Sequence, residues 1–310
     1  MIDFDVDLVV PFVDNNEYVW RKTFYNYCKK TKQYDRMASI EGPRFDNPGL
    51  FEYCLKGVDK FMPWIRKIHL IVSNIEQVPE YINKEKTHVV LHKDIIPEKY
   101  LPTFNSSMIE MFITNIEGLS EHFIYINDDM YAISPLSKED FFTDDGKIKM
   151  NFSTKNILDN HNQFRKMCLN GFQHIAKALH YEVDEHIFFK PSHSMTPMIK
   201  SHCIDCLDKI KEFVYNNINP FRTEFDHNQY IYSSYEKITN NSVDSNIKFS
   251  YIDLNLDIES IINKLTSNKY QIICINDTEV KNRSHLQIDT IKNTFKQILD
   301  SQTHVEKGGC

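Results

Sequence analysis

The sequence lacks the short glycine-containing motifs that most directly mark a phosphate-binding or hydrolytic site. It contains no G-x-x-x-x-G-K-S/T phosphate loop, no G-x-G-x-x-G dinucleotide fingerprint and no G-x-S-x-G nucleophile elbow. It also lacks an excess of basic residues, because 36 lysines and arginines stand against 43 acidic residues and the formal net charge is −7. A nucleic-acid partner therefore has no electrostatic support, and an anionic substrate must be met by local cations or a metal ion.

Long apolar runs are missing as well. No stretch approaches the roughly 20 apolar residues that cross a bilayer, and the first residues, among them Asp3, Asp5 and Asp7, have neither the basic nor the apolar region of a signal peptide. The seven cysteines are odd in number and scattered, as expected of free thiols in a reducing compartment. We therefore expect a cytoplasmic protein without a transmembrane segment, with peripheral association at the inner face of the membrane as an alternative.

The spacing of Cys203 and Cys206 allows two interpretations. A C-x-x-C pair beside His202 is half of a zinc site, but the chain offers no second pair of ligands with zinc spacing. The other interpretation is two buried thiols on one face of a helix. The missing second pair favours the buried thiols.

Apolar strands alternate with helical segments along the chain, which predicts an α/β fold with a mostly parallel, Rossmann-like central sheet flanked by helices. The predicted strands are 6–13, 67–74, 87–92, 123–126 and 271–275, and the predicted helices are 17–30, 50–61, 106–116, 200–216 and a last helix near the C-terminus. We expect one domain over residues 1–285, with a helical insertion or lid at about 150–190. Residues 286–310 are expected to form a helix and a frayed tail.

The last helix presents Ile288, Ile291 and Phe295 on one face. This pattern predicts packing on the core, with docking to a membrane or a partner as the alternative.

Acidic and amide residues follow several of the predicted strands. Asp14 comes after the first strand, Asn127, Asp128 and Asp129 come after the fourth, and Asn276 and Asp277 come after the last. Because the carboxyl ends of parallel strands gather at one edge of a sheet, we expect these residues to lie near one another. Adjacent carboxylates at such an edge hold a hard divalent cation, although solvated turns have the same composition.

Three further residues are candidates on their own chemistry. His193 lies in a turn-rich stretch and has a side chain suited to a general base, although most histidines are structural or solvated. Arg44 and Arg222 offer guanidinium groups that bind phosphate oxygens in pairs, and the alternative for each is a surface ion pair.

The order of these residues resembles the Stealth family, which includes bacterial sugar-phosphate transferases of capsule and exopolysaccharide synthesis and the animal N-acetylglucosamine-1-phosphotransferase. The stretch from Leu101 to Met130, with its Ile-Asn-Asp-Asp-Met ending, is similar to the family's second conserved region. Shorter similarities follow in the family's order at 13–20, 44–68, 193–229 and 273–277. The chain departs from the pattern at four positions, which are Phe12, Asn15, Glu52 and Pro220.

The resemblance implies a nucleotide-diphosphate sugar donor, usually a UDP-N-acetylhexosamine, and a divalent cofactor, Mg²⁺ or Mn²⁺. It implies that the metal is held by Asp128, Asp129 and Asp277, and that His193 and Arg222 act with Asp128 in catalysis. Residues in matching or neighbouring positions are expected to contact substrate, namely Asp14, Arg44, Asn105, Ser106, Asn127, Asn228 and Asn276.

The predicted reaction is transfer of a hexosamine-1-phosphate from UDP to a sugar hydroxyl. UMP leaves, and a phosphodiester forms in a capsular or exopolysaccharide whose saccharide acceptor is either free or lipid-linked. One alternative is a metal-dependent glycosyltransferase that releases UDP, because the same acidic pair serves both reactions. Another is a carbohydrate-binding relative without activity, against which the joint presence of His193, Arg222, Asp129 and Asp277 argues.

Overall fold

The computed structural model describes residues 2–37, 45, 47–158, 163–182, 184, 186–276 and 285–301. Within these residues the strands are β1 (Val6–Pro11), β2 (Ile68–Val72), β3 (Thr87–Leu91), β4 (His122–Tyr125), β5 (Met130–Ala132), β6 (Ile148–Lys149), β7 (Phe152–Asn156), β8 (Ile187–Pro191), β9 (Thr196–Ile199), β10 (Ser242–Val243), β11 (Phe249–Asp253) and β12 (Ile272–Asn276). The helices are α1 (Tyr18–Thr31), α2 (Tyr34–Met37), α3 (Phe51–Phe61), α4 (His92–Ile95), α5 (Ser106–Glu110), α6 (Lys138–Phe141), α7 (Gln163–Ala178), α8 (Lys200–Lys209), α9 (Lys211–Asn216), α10 (Tyr230–Ile238), α11 (Ile258–Thr266) and α12 (His285–Asp300).

The central sheet has five strands in the order β3-β2-β1-β4-β9, of which the first four are parallel. Val6, Leu8, Val9 and Val10 of β1 are all fully buried. A strand that is apolar on both faces is typical of a parallel sheet covered on both sides. The mostly parallel, Rossmann-like sheet predicted from the sequence is therefore confirmed.

The fifth strand of this sheet, β9, runs antiparallel to β4. Its sequence, Thr-Pro-Met-Ile, follows a turn-rich stretch, and strand pairing was not predicted there. Pro197 lies opposite Ile124 on this edge strand. A proline is tolerated on an edge strand because its missing N–H is not needed for a further neighbour.

The strand predicted at 271–275 is real, but it belongs to a second sheet with the order β11-β12-β5. In that sheet β12 pairs antiparallel with β5, so that Cys274 lies opposite Met130. Because β5 begins directly after Asp129, this pairing brings the end of β12 to the acidic residues that follow β4. The ends of β4 and β12 thus meet, although they come from different sheets.

The segment around 150–190 is not helical throughout. It contains α7, but β7 and β8 on either side of that helix pair antiparallel, with Phe152 opposite Pro191 and Asn156 opposite Ile187. In addition, β6 pairs with β10 from a distant part of the chain. The β7 strand has one large apolar residue, Phe152, and the apolar run of β8 is only three residues long, so neither gave a clear strand pattern. The prediction of a helical insertion was therefore wrong in part.

Two predicted helices have different bounds in the structure. The helix expected at 106–116 ends at Glu110, and its N-cap is Asn105, whose side chain accepts a hydrogen bond from the Ser107 N–H; Ser106 and Ser107 lie inside the helix. The helix expected at 200–216 is divided into α8 and α9 at Ile210, which is buried. Capping of α5 by Asn105 follows the usual preference for side chains that accept a hydrogen bond from the first turn.

The last helix packs on the core, as its apolar face predicted. Ile288, Ile291 and Phe295 of α12 are buried, and the helix contacts α3 and α11. On its other side α3 lies against β5, where a Cβ at Gly57 would come within 2.5 Å of the Ala132 carbonyl oxygen. In the part of the chain that the structure describes, every helix is too short or too polar to cross a membrane.

Candidate active site

The ends of β4 and β12 meet at Asp129. The Cys274 thiol donates a hydrogen bond to Asp129 Oδ2 across 3.4 Å, and the Ile275 N–H donates to the Asp129 carbonyl oxygen across 2.9 Å. Cys274 is fully buried, whereas Asp129 is half-buried at the surface of the site. Pairing of the strands therefore fixes the Asp129 backbone while its carboxylate faces the site.

His193 lies in the short connection between β8 and β9. Its Nδ1 is 2.7 Å from the hydroxyl of Tyr230, which is buried at the start of α10, and Phe164 packs edge-on against both rings. Burial, with smaller contributions from Lys190 and Arg222, lowers the pKa of His193 to about 4. The imidazole is therefore neutral near pH 7, with Nε2 available to accept a proton.

Asp129, His193 and Cys274 form a cluster in which one donor atom from each residue lies within 4.8 Å of the others. This spacing fits a divalent metal ion. The donors are mixed, because carboxylate oxygen suits Mg²⁺ and Mn²⁺ whereas imidazole and thiol suit softer ions such as Zn²⁺. Half-buried Asp128 adds a second carboxylate to the same turn. The structure thus supports a site that fits a divalent metal, without selecting among these ions.

Arg222 is held beside the N-terminus of α5. Its Nη2 donates to the Ser106 hydroxyl, while its buried Nε has no hydrogen-bond partner among the described residues. Lys190, on β8, also lies near His193, and burial lowers its pKa. Two cations are thus close enough to His193 to help lower its pKa, and cations beside a neutral imidazole suit a phosphate group.

Asn105 and Asn228 are buried beneath this region and bonded to the protein. The Asn105 amide donates to Asp226 Oδ2 across 2.7 Å and to the Asn219 carbonyl oxygen across 3.0 Å. Asn228 accepts from the Tyr230 N–H across 3.1 Å. Both residues therefore hold the segments that carry Arg222 and Tyr230, and their direct contact with substrate stays a prediction.

Glu110, the last residue of α5, is a buried carboxylate. It accepts from the Gln229 N–H across 2.7 Å and from the Tyr125 hydroxyl across 3.1 Å. Burial raises its pKa to about 7, against the opposing effects of Arg222 and of these hydrogen bonds. Glu110 therefore connects β4, α5 and the residues that precede α10. No local sequence pattern predicts this role, and none predicts the roles of Tyr230 and Lys190.

Asp14 lies at the same edge of the central sheet, close to the acidic turn. Its carboxylate accepts from the Asn47 amide across 3.0 Å and from the Asn16 N–H across 2.8 Å. Asp14 and Asp128 both contribute to the raised pKa of Tyr81, after the larger effect of burial. Asp14 and Asp128 follow the neighbouring parallel strands β1 and β4, so both lie at one edge of the sheet, as expected.

The structure gives less information on the remaining predicted site residues. Asn127 and Asn276 are half-buried at the ends of β4 and β12. Arg44 and Asp277 lie outside the described residues. The structure therefore brings His193, Asp129 and Cys274 together, with Arg222 held by Ser106, and leaves the roles predicted for Arg44 and Asp277 as predictions.

The chain is similar to known proteins along most of its length. Residues 44–150 match Stealth protein CR2, conserved region 2. The chain is 32% identical to the receptor polysaccharide phosphotransferase WefC of Streptococcus gordonii, over 97% of this chain and 98% of that protein. The chain belongs to the Stealth family.

Two other relatives align over nearly their whole length. The exopolysaccharide phosphotransferase cps2G of Lactiplantibacillus plantarum is 29% identical over 98% of this chain and 97% of its own. The capsular polysaccharide phosphotransferase WcwK of Streptococcus pneumoniae is 30% identical over 96% of this chain and 98% of its own. This member of the Stealth family is accordingly a transferase.

Proposed function

We propose that this Stealth-family protein transfers a hexosamine-1-phosphate from a nucleoside-diphosphate sugar, with UDP-N-acetylhexosamine as the donor, to a saccharide hydroxyl. The observation that carries the proposal is the cluster of Asp129, His193 and Cys274, in which one donor atom of each lies within 4.8 Å of the others. Lys190 and Arg222 add positive charge near His193 and help to lower its pKa. An imidazole that accepts a proton and cations that bind phosphate are what an attack on phosphorus requires. The named activities of the relatives support the same reaction in capsular or exopolysaccharide synthesis.

In this proposal His193 takes the proton from the acceptor hydroxyl. Among the described residues only Nδ1 has a hydrogen-bond partner, Tyr230, so Nε2 is the nitrogen that accepts. Acceptance at Nε2 requires the tautomer in which Nδ1–H donates to the Tyr230 oxygen. The negative charge of a bound diphosphate would raise the pKa of His193 towards neutrality and make it a better base.

Arg222 and Lys190 would neutralise charge on the phosphoryl group as it moves from the nucleotide to the acceptor. The Ser106 hydroxyl fixes the end of the Arg222 guanidinium, while its Nε remains able to donate. Positioning and charge stabilisation supply most of the catalysis in phosphoryl transfer.

A divalent metal ion, proposed to be Mg²⁺ or Mn²⁺, would be held by Asp128 and Asp129, with Asp277 as a further predicted ligand. When bound, it would supply positive charge to the donor diphosphate. A single His193 nitrogen cannot bind a metal and accept a proton at once, so we assign His193 to proton transfer and the carboxylates to the metal.

For the acceptor we propose a lipid-linked saccharide, used at the inner face of the membrane. Asp14, Asn127 and Asn276 line the ends of strands around the acidic turn and are the proposed substrate contacts nearest the surface. Asn105, Ser106 and Asn228 would act by holding the segments next to Arg222 and Tyr230.

The proposal is tested by incubating the protein with a panel of nucleotide sugars and saccharide acceptors. Chromatography of the spent nucleotide and phosphorus NMR of the product identify the bond that broke. We expect UMP and a sugar-phosphate-sugar diester in equal amounts. UDP with a plain glycosidic bond would replace this proposal with a metal-dependent glycosyltransferase.

A further inference from the structure

The first two helices concentrate positive charge in a chain that is acidic as a whole. Residues 18–37 contain six lysines and arginines and one acidic residue, Asp35, whereas the net charge of the chain is −7. None of the exposed lysines here forms an ion pair with another described residue; they are Lys22, Lys29, Lys30 and Lys32. These ammonium groups are therefore available to an external anionic partner.

Helix α1 contacts the rest of the protein through a narrow stripe. Trp20, Phe24 and Cys28, spaced four residues apart, are buried and pack in a small aromatic cluster with Phe104 and Phe221. The other side of α1 and the surface of α2 are exposed to solvent. We call this surface the lysine face, and it consists of Tyr18, Lys22, Lys29, Lys30, Lys32 and Tyr34.

The lysine face also exposes two aromatic rings. Tyr18 is 72% exposed and Tyr34 is 61% exposed, and the Lys22 ammonium lies 5.7 Å from the centre of the Tyr18 ring. Tyrosine has an apolar ring with a polar end, and lysine has an apolar stem with a charged end. This pair of residue types suits the boundary between water and lipid headgroups.

The helix that carries the lysine face packs on residues that are neighbours, in the chain, of residues at the candidate site. Helix α1 begins just after β1, and Glu17 caps its first turn. The aromatic residues that receive its buried stripe, Phe104 and Phe221, directly precede Asn105 and Arg222 in the chain. A surface that binds α1 would therefore lie next to the segments that hold Arg222.

We propose that the lysine face docks on a membrane surface that carries anionic lipid headgroups. The charge of the face is complementary to such a surface, and each lysine near it strengthens binding several-fold. The exposed tyrosines add contacts at headgroup depth. The benefit of docking for a lipid-linked acceptor depends on the proposed function, whereas the docking itself does not.

The test is sedimentation of the full chain with vesicles of phosphatidylcholine, alone or mixed with phosphatidylglycerol. The patch variant is Lys22→Glu, Lys29→Glu, Lys30→Glu and Lys32→Glu together. The matched control reverses four exposed lysines elsewhere, Lys84, Lys93, Lys211 and Lys296. A second variant, Tyr18→Ser with Tyr34→Ser, tests the rings without a change of charge.

We expect the unaltered chain and the control to bind mixed vesicles and not pure phosphatidylcholine, and the patch variant to bind at least about tenfold more weakly. We expect the tyrosine variant to bind a few-fold more weakly. All variants should keep the melting temperature and the turnover of a water-soluble acceptor, which separates a failure of docking from a failure of the proposed function. The proposal is overturned if the unaltered chain ignores mixed vesicles, if the control loses as much as the patch variant, or if soluble polyphosphate binds the face while vesicles do not.

Discussion

Two clusters of histidine and aspartate lie near opposite ends of the central strands, and they differ in how deeply these side chains are buried. Towards the amino ends, Asp7 on β1 is fully buried and bonded to three partners. Arg66 donates to both of its oxygens at 2.8 and 2.6 Å, His69 Nε2 is 2.9 Å from Oδ2, and the Ser120 N–H donates across 2.9 Å. Burial alone would raise the pKa of Asp7, but these contacts outweigh it and hold the pKa well below its usual range.

Beyond the carboxyl ends, the second cluster also contains an aspartate and a histidine, Asp129 and His193, and both are half-buried beside the buried Cys274. Nδ1 of His193 bonds to Tyr230, and one donor atom each of Asp129 and Cys274 lies within 4.8 Å of a His193 ring nitrogen. Buried charges with several hydrogen-bond partners stabilise a fold, whereas titratable groups at the surface of a site are candidates for binding and catalysis. We therefore expect the first cluster to contribute stability and the second to contribute chemistry.

The sharpest test of this division removes the proposed metal. Excess chelator should abolish turnover, and Mg²⁺ or Mn²⁺ should restore it. Asp129→Asn should remove most of the activity while the melting temperature stays close to that of the unaltered chain. Exposed Asp208→Asn is the control and should behave normally in both measurements. Full activity in excess chelator would refute the metal assignment.

Loss of the proposed base should give the next largest effect. His193→Ala should lower kcat about 10²–10⁴-fold with little change in donor affinity, because a general base acts mainly in the transition state. Tyr230→Phe, which removes only the hydroxyl that orients the ring, should lower kcat about tenfold. Exposed His186→Ala is the matched control in a neighbouring loop. If only donor binding weakens in His193→Ala, the histidine is a substrate contact and its assigned role is wrong.

The cluster at the amino ends should respond in the opposite way. Asp7→Asn should lower the free energy of unfolding by about 3 kcal/mol, because it leaves Arg66 and His69 without their charged partner. The folded fraction should retain normal kcat. Asp5→Asn is a suitable control, because Asp5 is exposed and its contact with Arg66 Nη1 is long, at 3.7 Å. This substitution should change the free energy of unfolding by no more than about 0.5 kcal/mol. Stability is measured by urea unfolding. If Asp7→Asn leaves it unchanged, the stabilising role assigned to the first cluster is wrong.

Glu110 should make the stability of the protein depend on pH. Its pKa is about 7 in the folded chain, above the usual value of 4.5, so the unfolded chain loses this proton first as pH rises. The contribution of Glu110 to stability therefore falls between these two values, by on the order of 3 kcal/mol. Glu110→Gln removes the titration while keeping a side chain that can accept from Gln229 and Tyr125. Unfolding curves at several pH values should show a smaller decline for the variant, and equal declines would contradict the raised pKa.

Much of the fold could be predicted because each buried strand is a short apolar run that ends at turn residues. This holds for β1, β2 and β4, whose carboxyl ends also located Asp14 and Asp128. The pairing of β5 with β12 could not be predicted, since it depends on tertiary packing, and so the place of Cys274 beside Asp129 was missed. The β7 strand was missed because Phe152 is its one large apolar residue, and β8 was missed because its apolar run, Ile187 to Phe189, is too short for periodicity to separate a strand from a helix.

The candidate site divides in a similar way. His193 and Arg222 were weak candidates alone and became strong ones through the resemblance to a family. Tyr230, Glu110 and Lys190 act through contacts with residues far away in the chain, and such contacts leave no local pattern in a sequence. Conversely, nothing in the sequence showed that Asn105 would be buried and bonded to Asp226.

The central claim is that the acceptor attacks phosphorus, so that the phosphate attached to the donor sugar moves with that sugar. The most direct test uses a UDP-N-acetylhexosamine labelled with radioactive phosphorus at that phosphate, followed by separation of nucleotide and saccharide after turnover. We predict that the label appears in the saccharide product, within a phosphodiester, and that the UMP released is unlabelled. Label that stays with the nucleotide as UDP would show attack on the sugar carbon and would contradict the account.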